Sequence, residues 1–235
     1  MKWGELIMIG KRLSWIPVSF VVLVVLFIVW PELDMMMSEI FFDEASRSFP
    51  ANRESWVRFV YVAFKDMPLF LVPALIIATA VSWLRFAPVK LRAKRYKLLF
   101  LLLFLLIGPG LLVHAGFKNN WDRARPRDVV AFGGEQHFKP AWVISDQCEK
   151  NCSFTSGHAA MGFAFIALAW VWEWQLGLLL GVIIGLFVGE VRVMQGGHFL
   201  SDVIFSGYIC YFTAWLLARI ILPVDQNRQL STQSH

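Results

Sequence analysis

Apolar residues in this chain run in long blocks instead of alternating. Six blocks are long enough to cross a hydrocarbon core of roughly 30 Å, which takes about 20 helical residues, or fewer where polar ends reach the interface. They cover residues 13–30, 67–84, 98–117, 154–172, 174–191 and 200–222. Only helices and closed barrels satisfy their backbone groups in lipid, and blocks this long read as helices. The pattern therefore predicts an all-α polytopic membrane protein, a single domain over residues 1–235 folded as a six-transmembrane-helix bundle.

Composition agrees: 57% of residues are hydrophobic, 17% are charged, and mean hydropathy is +0.58, which excludes an ordinary soluble domain. Lys2, Lys11 and Arg12 precede the first block as they would in a signal peptide, but no small-residue cleavage site follows, so an uncleaved span is expected. Charge sets the orientation. Residues 85–97 carry Arg85, Lys90, Arg92, Lys94, Arg95 and Lys97 without an acid, which marks that loop as cytoplasmic. Residues 31–57 are rich in acids, among them Asp34, and should lie outside. Both termini then fall in the cytoplasm, and the loops after spans one, three and five lie outside. The net charge of +5 reflects cytoplasmic anchoring and gives no sign of nucleic-acid binding.

Between the spans, residues 31–56 offer Met35, Met36, Met37, Ile40, Phe41 and Phe42 as the face of an interfacial helix, or as a loop packed on the bundle. Residues 118–153 form a long irregular external loop. It holds Cys148 and Cys152, for which a disulfide and two free thiols are equally open. Gly177, Gly181, Gly185 and Gly189 recur every four residues and suit a close approach by a neighbouring helix.

Polar residues gather at the external ends of spans three, four and five to six. In the first block, Lys118 and Arg125 lie seven apart; a helix continuing past Phe117 would set both on one face as an anion clamp. Taken alone, the block also fits a basic interfacial anchor. In the second, Thr155 or Ser156 caps the start of a helix, Gly157 permits close approach of an anion, and His158 is placed to move a proton. A capping residue beside a satisfied histidine is the plainer alternative. In the third, Gly196 and Gly197 allow a chain break, Arg192 adds a cation, and His198 and Asp202 stand four apart. On one helical turn, the Asp202 carboxylate would engage one imidazole nitrogen and leave the other as a nucleophile, although such a pair is often only a structural hydrogen bond.

Together the blocks resemble the signature of the type 2 phosphatidic acid phosphatase superfamily, which also contains the vanadium haloperoxidases: K-x6-R-P, P-S-G-H and S-R-x5-H-x3-D. Thr155 stands where the signature has Pro and Val191 where it has Ser. The run from Gly108 to Gly110 and the segments 121–126, 132–134 and 148–158 are similar to bacterial lipid A phosphatases. The resemblance implies a lipid phosphate phosphatase without cofactor or metal. Lys118, Arg125, Arg192, Ser156 and Gly157 would hold the phosphate, His198 oriented by Asp202 would attack phosphorus, and His158 would protonate the leaving oxygen. Lipid A, at the 1- or 4'-position, is the expected substrate, with undecaprenyl pyrophosphate and phosphatidylglycerophosphate as alternatives. The rival of another class is a protein that binds or transports a phospholipid, which would not require two histidines and an orienting acid. Protein partners are left open, and a monomer would suffice.

Overall fold

A computed structural model describes residues 15–149, 151–172 and 175–222, so the basic N-terminus, the start of the fifth predicted span and the polar tail lie outside the described residues. Those residues are helical, with no strand beyond two isolated bridges. We number the α-helices α1 (Trp15–Val29), α2 (Glu32–Glu39), α3 (Ser55–Ser82), α4 (Val89–Arg92), α5 (Arg95–Leu105), α6 (Gly157–Phe163), α7 (Leu168–Val171), α8 (Gln175–Met194) and α9 (Leu200–Ile221).

Among the described residues, four helical stretches are long and apolar enough to cross a membrane, namely α3, Arg95–Phe117, the α8 residues Leu176–Met194, and α9; α1 with α2 would make a fifth. The pair bends by 83° at Pro31, whose ring disfavours helical conformation in the preceding residue. The fourth predicted span is a shorter apolar rod, Gly157–Val171, interrupted by a 3₁₀ turn at Ala164–Ala167. At 1.5 Å per residue it reaches only about 22 Å.

Two boundaries differ from the sequence expectation. Helix α3 begins at Ser55, twelve residues before the predicted start, because Arg58, Lys65 and Asp66 interrupt the apolar run without interrupting helical hydrogen bonding. After α5 the chain widens into a π-helical stretch, Leu106–Phe117, around Gly108-Pro109-Gly110. Pro109 has no N–H to give, and π segments recur at functional sites.

The core lies between α5, α6, α8 and α9, around Phe100, Phe104, Phe163, Ile166 and Cys210. The glycine stripe of α8 makes that packing possible. A Cβ on Gly181 would come within 2.3 Å of the Ile166 backbone nitrogen, and one on Gly185 within 2.2 Å of the Phe163 ring. Helix α2 and the residues after it fold back across one end of the bundle, where Met35, Phe41 and Phe42 pack on Phe49, Phe132 and Phe199. The stretch is thus a helix rather than a loop, and it packs on the bundle through Met35, Phe41 and Phe42 while Met36 and Ile40 stay exposed.

Candidate active site

The chain leaves the π-helix at Lys118, whose N–H bonds Val113 O, and runs as an irregular segment to Arg125, which is extended (φ −85°, ψ 157°). Lys118 and Arg125 therefore do not share a helical face, because the helix ends before a second turn can form. Both side chains are nonetheless buried and, with Arg192, close enough to act on one another's charge. Burial, reinforced by Arg125 and Arg192, lowers the Lys118 ammonium to about 8. Arg125 is held from Nε and Nη2 by the carbonyl of Asn151, at 3.1 and 2.6 Å.

Arg192 ends α8 and is fixed by the Gln195 side chain. Gly196 turns the chain at φ +61°, where a side chain would also strike Phe49. A Cβ on Gly197 would lie 2.2 Å from Arg192 Nη2, so a bare backbone is what admits the guanidinium.

His198 precedes α9 and is 1% exposed. Its Nδ1 pairs at 2.8 Å with the carbonyl of Ser153, and Asp202 Oδ2 is farther away, at 3.6 Å. The sequence expectation of one helical turn linking His198 to Asp202 thus needs correction: His198 stands before the helix and Asp202 in its first turn. Asp202 Oδ2 instead accepts from the Phe199 N–H at 2.8 Å and from Ser153 Oγ at 2.5 Å. It steadies both ends of the segment that carries the imidazole and the carbonyl beneath it. The Ser153 carbonyl can accept only from an Nδ1–H tautomer, which leaves Nε2 with its lone pair. Burial, with Arg192, Arg125 and Lys118 nearby, holds His198 well below the usual imidazole range, so the ring is neutral at physiological pH.

Ser156 caps α6, its hydroxyl accepting from Ala159 N at 3.3 Å. Nothing lies within 4 Å of where a Gly157 Cβ would stand. His158 follows, electrostatically coupled to Arg192, His198, Lys118 and Arg125. All eight residues singled out from the sequence thus come together, Asp202 from behind the Ser153 segment. Within the cluster, His198 Nε2, His158 Nε2 and Arg192 Nε are buried with no hydrogen-bond partner among the described residues. Arg192 Nε is a donor and, with the Lys118 and Arg125 cations, suits an anion, while the His198 Nε2 lone pair is left available beside it.

Several residues here were not singled out from sequence. Arg123 is fully buried between two carboxylates: Nη1 to Asp202 Oδ1 at 2.6 Å and Nη2 to Asp34 Oδ2 at 2.8 Å. Asp34 also accepts from Ser201 N and Oγ, which ties α2 to the start of α9. Tyr61 of α3 stacks on His158. Arg123 was visible as one more cation of its block, whereas Asp34 and Tyr61 lie far from it in sequence with no spacing to mark them. Cys148 and Cys152 form a disulfide, their Cα atoms 5.7 Å apart, immediately before Ser153.

A buried cationic cluster around a neutral histidine with a free nitrogen, capped by a helix start and set at one end of an apolar bundle, is the arrangement of a phosphate-handling membrane enzyme. Residues 97–224 match the PAP2 superfamily, and the chain belongs to that family. It is 34% identical, over 82% of its length and 88% of the relative's, to a lipid A 4'-phosphatase of Francisella tularensis subsp. novicida (strain U112). Shorter matches are to proteins of the same name: 33% identity in Rhizobium leguminosarum, over 53% of each chain, and 40% in Rhizobium etli, over 42% of this chain and 40% of the relative. No solved structure matches significantly. The chain is an enzyme, a phosphoric monoester hydrolase.

Proposed function

We propose that this phosphatase removes a phosphate from lipid A at the periplasmic face of a bacterial inner membrane, by a metal-independent route through a phosphohistidine. The observation that carries the mechanism is His198: neutral, buried among three cations, with Nδ1 held by Ser153 O and Nε2 unpartnered. The lipid phosphate lies between Lys118, Arg125, Arg192 and the chain at Ser156 and Gly157. His198 Nε2 attacks phosphorus as the P–O bond to the lipid breaks, and His158 gives its proton to the departing oxygen. A substrate entering as the phosphate monoanion supplies that proton. His158 then takes a proton from water, whose oxygen attacks the phosphohistidine and releases inorganic phosphate with His198 regenerated. Phosphoryl transfer depends mainly on positioning and charge stabilisation, which fixed cations provide.

For substrate, the names of the three relatives favour the 4'-phosphate of lipid A over the 1-phosphate, undecaprenyl pyrophosphate or phosphatidylglycerophosphate. The architecture in the membrane is six crossings with both termini cytoplasmic, the short rod Gly157–Val171 completing its crossing with the residues around it.

His198→Ala should abolish phosphate release while leaving lipid binding measurable, and acid quenching of the wild type with radiolabelled substrate should trap an acid-labile phosphoprotein. Turnover lost in EDTA and restored by a divalent ion would overturn the mechanism. Mass spectrometry of lipid A and polyprenyl phosphates, with and without the gene, decides the substrate.

A further inference from the structure

Tyr61 stands outside the three motif blocks and outside residues 97–224, the part matched to the family. Its ring lies nearly parallel to the His158 imidazole, with centroids 4.6 Å apart and planes 22° from parallel, and it carries the Arg192 guanidinium 4.8 Å from its centroid. The two histidines are held by different means. His198 is fixed through Nδ1 by the Ser153 carbonyl, whereas His158 Nε2 has no partner and no described group hydrogen-bonds its ring. Among the described contacts of the His158 ring, stacking on Tyr61 is the one that constrains its plane. The N–H vector of an imidazole lies in that plane, and a hydrogen bond weakens steeply once its angle falls toward 120°, so ring tilt decides whether a proton reaches its acceptor.

We infer that Tyr61 is a positioning residue for proton delivery: stacked on His158 and against Arg192, it orients the imidazole so that Nε2 meets the leaving oxygen. The inference rests on His158 acting as the general acid, as proposed above, and adds a residue from α3 to the machinery of the family segment. Offset aromatic pairs have the geometric preference this role requires, and phenylalanine shares it.

The leaving group separates proton delivery from a structural role. An alkoxide departs poorly without a proton, while 4-nitrophenolate departs without one. The measure is kcat/KM of the full chain in detergent for octyl phosphate and for 4-nitrophenyl phosphate, because it reports steps only through transfer to His198 and omits hydrolysis of the phosphoenzyme. General acid catalysis as a whole contributes about 10²–10⁴-fold, so Tyr61→Leu should cost the octyl substrate roughly tenfold or more and leave the nitrophenyl substrate little changed. Tyr61→Phe, which keeps the ring, should restore most of the loss. His158→Ala serves as the reference and should show the same selectivity, more strongly. Equal losses on both substrates in Tyr61→Leu, or no loss on either, while His158→Ala discriminates between them, would overturn the role of Tyr61 and leave the mechanism standing. A His158→Ala enzyme that loses both substrates alike would overturn the general-acid assignment and this inference with it.

Discussion

Arg123 bridges two buried carboxylates, Asp34 and Asp202, and so ties α2 to the segment around His198. Breaking a buried ion pair from one side leaves uncompensated charge and costs about 3–5 kcal/mol. Arg123→Met should therefore lower thermal stability in detergent by that order, and adding Asp34→Asn should cost less than the sum of the two changes, since they share one network. Lys118 makes a prediction about pH. Its ammonium keeps its charge below about 8 and loses it above, so kcat/KM should fall as pH rises through that value. Lys118→Arg, whose guanidinium stays charged, should move this alkaline limb upward; a limb that stays in place would assign the titration elsewhere. At this scale the sequence was informative wherever chemistry recurs at short spacing, as in Ser156, Gly157, His158, Arg192, His198 and Asp202. Asp34 meets Arg123 across 89 residues and Tyr61 meets His158 across 97, and no local pattern encodes contacts of that range.

Among the elements, α8 shows how little tolerance the packing has. Gly181 faces backbone, not a movable side chain, so Gly181→Val should destabilise by about 1–3 kcal/mol or more, read as a lowered melting temperature. Retention of wild-type stability would mean that α8 and the Gly157–Val171 rod can separate. The four-residue glycine period in the sequence announced this contact. The π-helical stretch was not announced, because a twelve-residue apolar run around Gly108-Pro109-Gly110 looks the same at any helical pitch. Its consequence is local: Lys118 enters the cluster from a helix end, and Arg125 arrives on extended chain.

For the whole molecule, the apolar blocks gave the class of fold, while the polar caps that build the site blurred its count of spans. Residues 153–156 have the composition of a helix beginning, yet the helix starts only at Gly157, because the preceding residues are engaged with His198, Asp202 and Arg123. Orientation is tested with a membrane-impermeant thiol reagent on spheroplasts, against a Cys148→Ser/Cys152→Ser background. A cysteine at Arg127 should be labelled and one at Arg92 spared, and the opposite result would invert the proposed topology.

The Cys148–Cys152 bridge closes a small ring whose last residues hand one carbonyl to Arg125, from Asn151, and whose next residue gives another to His198, from Ser153. The catalytic groups are thus tethered to a staple that a bench reagent can open. Dithiothreitol in an assay buffer should slow the enzyme, and reoxidation in air should bring the rate back. The double serine variant should start slow and ignore both treatments.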